Sequence, residues 1–176
     1  NRQRVFIGGY MAPEQKFQDL YKQMWDLCQE NNWGDPFSYA RAKEIYATCA
    51  LGHQMPGPHM YAGADGINQD GQPVEYKSTT GNKCKGSYTG ISVQKTWQEQ
   101  EKYLVTEKIG KYPEHYYNRF EDGKLAESWK MPGKKVLEIL LRKLRTKYDT
   151  VLSKKDPRLA ADITWGEIQE HGEQVL

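Results

Sequence analysis

The hydrophobic period changes twice along this chain, and that change constrains the fold more than any other feature. Residues 13–32 and 36–50 carry apolar side chains at the i, i+3, i+4, i+7 spacing of helices. Between about residues 60 and 80 the pattern becomes the alternation typical of strands, and residues 136–144 return to helical spacing. This order predicts one α/β or α+β domain over residues 1–176, with a mixed central β-sheet flanked by helices.

Turn-forming residues set the boundaries of these elements. Pro13 opens the first helix, and Asp35-Pro36 predicts an N-cap with Pro at the first position of the second helix. The second helix would bury one stripe, formed by Ala42, Ile45, Tyr46, Cys49 and Ala50. Asp70-Gly71 and Glu121-Asp122-Gly123 predict two hairpins. Residues 97–108 fit either a strand or a helix.

Composition excludes several classes of protein. Charged residues make up 27% of the 176 residues, and no apolar run approaches the length of about 18 residues that a membrane span needs. The three cysteines are an odd number without CxxC spacing, which argues against a disulfide framework and a zinc site. They favour a reducing compartment, and we expect a cytoplasmic protein without a membrane partner.

Basic residues are concentrated near the C-terminal third of the chain. Residues 130–147 hold seven Lys or Arg residues and a single acid, Glu138. Such a stretch suits a face that contacts phosphate, and it suits a solvated helix face equally well.

The segment from Asp65 to Lys77 carries the clearest chemical pattern. Side chains at i and i+2 of a strand share a face, so Glu75 and Lys77 emerge side by side if residues 74–78 form a strand. The Asp70-Gly71 turn folds Asp65 back toward the same edge. The two carboxylates would then hold Mg²⁺, and Lys77 would orient or deprotonate a water molecule and stabilise charge on a phosphorane. The same residues also fit a surface hairpin with a cross-strand salt bridge.

The same segment resembles the active-site hairpin of type II restriction endonucleases of the PD-(D/E)XK family. The matching run extends from Asp65-Gly66 to Val74-Glu75-Tyr76-Lys77-Ser78, with a Gly in the turn and a Ser after the Lys. The resemblance continues through Lys85-Gly86-Ser87-Tyr88-Thr89, and Glu170-His171-Gly172 is similar to a motif near the C-terminus of such an enzyme. These pieces keep their order along most of the chain.

The resemblance implies a Mg²⁺-dependent restriction endonuclease that hydrolyses double-stranded DNA at a short, palindromic sequence, as part of restriction–modification. Asp65, Glu75 and Lys77 would be its catalytic residues, and Asp65 and Glu75 its metal ligands. The resemblance also implies a homodimer, because two-fold DNA sites are read by two-fold proteins. Our candidate for the dimer contact is the helix at residues 13–32.

The chain departs from the family pattern in two places. An additional active-site Glu is replaced by Ala62, which puts a second metal ligand in doubt. Three base-reading histidines are replaced by Gly90, Ile91 and Ser92, so the sequence that is read must differ. Of these, Ile91 would pack on a thymine methyl group, and Ser92 would bond to either purine.

Side chains close to these positions are the remaining candidates for DNA contacts. Gln94 can bond adenine with two hydrogen bonds, and Lys95 can contact guanine. Lys83 and Lys85 follow the catalytic strand and would contact phosphates, although plain solvation explains them equally well.

Two other functions fit the same residues. One is a repair or recombination nuclease on the same core, which would recognise the structure of branched DNA instead of its sequence. The other is a DNA-binding protein that retains the hairpin without catalysis.

Overall fold

The computed structural model describes residues 12–57 and 63–176. The sequence predicts a single domain, whereas the chain divides into two compact units, Asn1–Ala42 and Lys43–Leu176. The larger unit combines helices with a five-stranded mixed sheet and a two-stranded sheet. The predicted α+β class is therefore confirmed.

The first unit contains helix α1, Pro13–Glu30, within two residues of its predicted end. Pro at the first helical position has no N–H to leave unsatisfied, which suits this start. The predicted start of the second helix at Pro36 is wrong, because α2 is Arg41–Ala50. The Asp35 carboxylate accepts a 2.8 Å hydrogen bond from the Phe37 N–H and holds a turn there, and Tyr39 has a left-handed φ of 47° that interrupts helix formation.

The larger unit alternates strands and helices from residue 63 onward. In chain order its elements are β1 (Gly66–Ile67), β2 (Pro73–Thr79), β3 (Gly86–Ser92), α3 (Trp97–Tyr103), a π-helical turn (Leu104–Lys108), β4 (Glu114–Glu121), β5 (Lys124–Pro132), α4 (Gly133–Leu152), β6 (Arg158–Ile163), α5 (Trp165–His171) and β7 (Glu173–Gln174). The segment 97–108 is thus helical, and α4 is longer than its predicted core at 136–144. Among the described residues, no helix has the length and apolar character needed to cross a bilayer.

The main sheet has the order β1-β2-β4-β5-β7, and β3 pairs with β6 in the smaller sheet. Strands β2 and β4 are parallel, with Glu75 opposite His115 and Lys77 opposite Tyr117. The other pairs are antiparallel, and the two hairpins predicted at Asp70-Gly71 and Asp122-Gly123 are present as β1–β2 and β4–β5. The parallel pairing places the side chains of four sequence-distant residues on one face of the sheet.

The opposite face of β2 and β4 packs against α2. Val74 and Tyr76 of β2 form a buried cluster with Ala47. Within α2, Ala47 and Thr48 are buried, whereas Cys49 is exposed, so the predicted buried stripe is wrong. The Thr48 hydroxyl satisfies its hydrogen bonding by donating to the Glu44 carbonyl oxygen at 2.8 Å, which allows this polar side chain to face the sheet.

Candidate active site on the β1–β2 hairpin

The β1–β2 hairpin brings Asp65, Glu75 and Lys77 together. The Asp65 N–H donates to the Val74 carbonyl oxygen at 3.1 Å, and the Asp65 carboxylate accepts from the Tyr76 N–H at 2.9 Å. The Asp65 carboxylate is therefore bound to the backbone between Glu75 and Lys77. Gly66 permits this close pairing, since a Cβ there would lie 2.3 Å from the Tyr76 hydroxyl oxygen.

Lys77 is held on two sides. Its ammonium lies 3.2 Å from a Glu75 carboxylate oxygen and 4.6 Å from the centre of the Tyr88 ring. Both side chains of the ion pair are mostly shielded from solvent, so their attraction is screened less than that of a surface pair. The alternative drawn from the sequence was a surface hairpin with a cross-strand salt bridge, whereas this ion pair lies within β2.

The surroundings of the two carboxyl groups raise the pKa of both. Burial, with smaller contributions from the negative charges of Glu75 and Glu44, raises the pKa of Asp65 to about 8, and the Tyr76 N–H and Lys77 oppose the shift. Burial also raises the pKa of Glu75, with Lys77 opposing and Glu44 adding to the shift. A site in which buried carboxyl groups repel one another is one that a bound cation would stabilise.

Glu44 contributes to this field from α2, and the sequence motif did not reveal it. The signal that could have found it is helical spacing: Glu44, Ala47 and Thr48 are related by i, i+3, i+4, and the last two are buried. A stripe predicted from apolar residues alone pointed to the other side of α2. Glu44 lies on the same side of α2 as the buried Ala47 and Thr48.

A buried hydrogen-bonded chain supports the ring beneath Lys77. The His115 Nε2 atom lies 3.0 Å from the Ile109 carbonyl oxygen, which can only accept, so Nε2 carries the proton. His115 Nδ1 therefore accepts from the Tyr88 hydroxyl at 2.8 Å, and the Tyr88 oxygen accepts from the Tyr117 hydroxyl at 3.0 Å. Burial lowers the pKa of His115 to about 4, so the ring is neutral over the physiological range. Tyr88 is fixed by both partners.

Two adjoining recesses open beside these groups. A cleft of about 590 Å³ is lined by Gly63, Asp65, Glu75, Tyr103, Glu107, Lys108, Lys111 and Tyr112. A narrow recess of about 60 Å³ is lined by Glu75, Lys77, Tyr88, Thr89, Ile91, Lys108 and Ile109. Glu75 and Lys108 belong to both, so the carboxylates and Lys77 face a continuous concave surface.

Asp65 and Glu75 have the donor chemistry that Mg²⁺ prefers. Mg²⁺ is commonly held by one or two carboxylates and keeps several water molecules. Among residues 12–57 and 63–176, no group of three or more His, Cys, Asp or Glu side chains is arranged to hold a metal ion. The fit is therefore to a two-carboxylate site, and Ala62, where the resemblance would place a further ligand, lies outside the described residues.

The predicted DNA-contacting residues differ in their accessibility. Lys83, Lys85, Gly90 and Lys95 are exposed, and Ser92 and Gln94 are half-buried. Ile91 is only 3% exposed and belongs to the hydrophobic core, so its predicted contact with a thymine methyl group is wrong for this structure. Regular alternation from the buried Tyr88 would turn Ile91 outward, but the pairing with β6 shifts register between Tyr88 and Ile91, and this irregularity turns Ile91 inward.

A buried glutamine, which the sequence did not single out, fixes the segment after β3. The fully buried Gln100 accepts from the Gln94 N–H at 2.7 Å and donates to the Ser92 carbonyl oxygen at 3.2 Å. The Gln94 carbonyl oxygen also accepts from the Tyr148 hydroxyl at 2.6 Å. The backbone of residues 92–94 is therefore held in place by hydrogen bonds.

Much of the basic stretch at residues 130–147 is engaged within the protein. Lys143 pairs with Glu167 and donates to the Asp162 carbonyl oxygen at 2.6 Å, and Lys147 donates to the Ala160 carbonyl oxygen at 2.7 Å. Arg145 lies over the Trp97 ring at 5.1 Å. These contacts hold α4 against its neighbours, which favours a structural role for this part of the stretch over phosphate contacts.

Comparison with known proteins adds no relative. No protein-family model matches the sequence, and no curated protein sequence matches it either. The functional conclusion therefore depends on the site itself.

Proposed function

We propose that this protein is a Mg²⁺-dependent endonuclease that hydrolyses phosphodiester bonds of double-stranded DNA at a specific sequence. The observation that supports this most strongly is the convergence of Asp65, Glu75 and Lys77 in one concave site. Burial raises the pKa of both carboxyl groups, the charge of Glu75 adds to the shift at Asp65, and Lys77 is held by Glu75 and the Tyr88 ring.

In the proposed reaction, water adds to phosphorus and releases a proton to solvent, and the bond from phosphorus to one sugar oxygen breaks as that oxygen takes up a proton from solvent. Mg²⁺ held by Asp65 and Glu75 would polarise the scissile phosphate and neutralise part of its charge. Lys77 orients the attacking water and donates hydrogen bonds to phosphate oxygens as negative charge develops on them. Tyr88 keeps the ammonium in place, because its hydroxyl is fixed to His115 and Tyr117.

The same proposal assigns the DNA-contacting and dimer surfaces. Ser92, Gln94 and Lys95 are the proposed base readers, and their backbone is anchored through Gln100. Two chains are proposed to associate through α1, whose exposed apolar side chains are Phe17, Leu20, Tyr21, Met24, Trp25 and Leu27. The free thiols of all three cysteines support a reducing, cytoplasmic location.

The proposal is tested with supercoiled plasmid DNA of known sequence. We expect cleavage with Mg²⁺ or Mn²⁺, none in EDTA, and none with Ca²⁺, which prefers longer and looser coordination. Asp65→Asn, Glu75→Gln and Lys77→Ala should each lower the cleavage rate by about 10²–10³-fold, as for other positioned electrostatic groups. Asp70→Asn is the matched control, since Asp70 is an exposed carboxylate on the same hairpin.

Three results would contradict the proposal. Cleavage at the wild-type rate by one of the three variants removes that residue from the mechanism. Full turnover in EDTA excludes the metal. Loss of activity in the Asp70→Asn control as well would show that the hairpin is merely sensitive to substitution.

A further inference from the structure

The connection between α3 and β4 presents lysine side chains to the cleft that holds Asp65 and Glu75. Its apolar residues Leu104 and Ile109 are buried and anchor the chain. The Ile109 and Gly110 N–H groups both donate to the Leu104 carbonyl oxygen, at 2.9 and 3.0 Å, which closes the π-helical turn. A Cβ at Gly110 would lie 2.3 Å from the Val105 carbonyl oxygen, so this tight closure requires glycine.

Lys108, between the two buried anchors, and Lys111, two residues after Ile109, are both exposed. Both line the cleft of about 590 Å³ together with Asp65 and Glu75. A π-helical turn is rare in proteins and frequently occurs at functional sites. Here the turn places the ammonium groups of two lysines beside two carboxylates.

Local contacts set where along the cleft each lysine lies. The Lys111 ammonium lies 5.8 Å from the centre of the Tyr112 ring, and the Tyr112 hydroxyl donates to the Gly63 carbonyl oxygen at 2.9 Å, two residues before Asp65. Lys108 lines the narrow recess as well as the cleft, and it shares that recess with Lys77. The three ammonium groups therefore follow one another past the carboxylates, in the order Lys111, Lys108, Lys77.

We propose that Lys111, Lys108 and Lys77 form a track for successive phosphate groups of one DNA strand. Lys77 faces the scissile phosphate, and Lys108 and Lys111 bind the neighbouring phosphates of the same strand. This inference rests on the proposed nuclease function for the role of Lys77.

The ligand class follows from the charges in the cleft. Asp65, Glu75 and Glu107 all line it, so a polyanion would be repelled unless cations of the protein offset these carboxylates. A run of exposed lysines fits repeated phosphate groups, whose contacts position a strand without reading its bases.

The test measures binding without cleavage. Wild type, Lys108→Ala, Lys111→Ala and the double variant are titrated against a fluorescein-labelled duplex in EDTA, between about 50 and 200 mM salt. Lys102→Ala is the matched control, because Lys102 is an exposed lysine on α3 outside the cleft. Each single variant should weaken binding at low salt by about 3–10-fold and reduce the slope of log K against log salt by about 0.9, and the double variant by about twice that.

Failure of the track and failure of the nuclease proposal give different results. Unchanged slopes in both single variants and in the double variant overturn the track, even if the wild type cleaves DNA. The track is also overturned if the slope of log K against log salt falls as much in the Lys102→Ala control as in these variants. Normal wild-type binding with altered slopes, but without cleavage in Mg²⁺, supports the track and removes the nuclease activity. Lost cleavage in Lys108→Ala with an unchanged slope overturns the track, because Lys108 would then act on the chemistry.

Discussion

Burial shifts the pKa values of Asp65 and His115 in opposite directions. Burial raises the pKa of Asp65 to about 8, so the folded protein binds a proton that the unfolded chain releases above its ordinary value of 3.8. Burial lowers the pKa of His115 from 6.5 to about 4, so the folded protein releases a proton that the unfolded chain keeps. Linkage then gives the two groups opposite effects on stability.

The two groups stabilise the folded protein at opposite ends of the pH range. Stability contributed by protonated Asp65 is fully present below pH 3.8 and is lost as the pH rises toward about 8. Stability contributed by neutral His115 is present above pH 6.5 and is lost as the pH falls through about 4. Between about pH 4 and 6.5 the two effects oppose each other, with a limiting slope of about 1.4 kcal/mol per pH unit for each group.

The two effects partly cancel in the wild type. We therefore predict that a substitution of either residue reveals the pH dependence of the unfolding free energy that the other produces. In metal-free Asp65→Asn, the free energy of unfolding should fall on acidification from pH 6.5 to about 4, because the opposing Asp65 effect is removed and the His115 effect remains. In His115→Phe, it should fall as the pH rises from about 4 toward 8. Urea unfolding across this pH range measures both. Parallel pH profiles for the two variants would contradict the assigned shifts.

At the scale of single elements, α1 presents six large apolar side chains to solvent. Leu20 is 60% exposed, and five more large apolar side chains on this helix are at least 38% exposed. Cys28 is the buried residue of α1. Burial of apolar area of this kind is what stabilises a symmetric dimer.

We predict that Leu20→Glu combined with Met24→Glu converts a dimer into a monomer, because it would bury two carboxylates in an apolar contact. Sedimentation equilibrium measures the molecular mass directly. Lys22→Glu is the control, since Lys22 lies on the far side of α1 and its substitution changes the charge as much as the two Glu replacements together. A wild-type chain that sediments as a monomer at micromolar concentration would exclude α1 as a dimer contact.

The segment after β3 is a second element with a testable role. Gln94 is half-buried, and its backbone is anchored to Gln100 and Tyr148. We predict that Gln94→Ala lowers affinity for the cleaved sequence by about 1–3 kcal/mol relative to a scrambled duplex, because a bidentate base contact is lost. Lys85→Ala should weaken binding to both duplexes alike. Anisotropy titrations with the two duplexes compare the variants, and equal losses for Gln94→Ala would remove it as a reader.

The elements that the sequence predicted are those with local signals. Helix α1 and the β1–β2 and β4–β5 hairpins follow from Pro13, Asp70-Gly71 and Asp122-Gly123, and the convergence of the hairpin side chains follows from strand alternation. The groups that fix the Tyr88 ring next to Lys77 could not be found in this way. Parallel pairing of β2 with β4 brings in His115, some forty residues away, and no local pattern encodes that register.

The same distinction explains the incorrect predictions. The α2 stripe and Ile91 were assigned from residue type, whereas their environment is set by which face meets the sheet or the core. Strands β3, β6 and β7 were not predicted because their pairings are between segments distant in sequence. Only tertiary structure determines such pairings.

At the scale of the whole molecule, the arrangement proposed is one active site per chain and two chains per assembly. A dimer bound to a two-fold sequence would place one site on each strand. Both strands could then be cut before the enzyme dissociates. A monomer with one site cuts a single strand in each binding event.

We predict that excess wild-type enzyme converts supercoiled plasmid to linear DNA with little accumulation of nicked circles, and that sequencing of the ends gives one short palindrome. The Leu20→Glu, Met24→Glu variant should instead accumulate nicked circles, because its active site is intact but its partner is lost.

A four-way DNA junction supplied as competitor separates the remaining possibilities. Cleavage of the junction with the plasmid left intact would identify a structure-specific nuclease. Binding of either DNA without any cleavage in Mg²⁺ would leave a DNA-binding protein whose carboxylates serve another purpose.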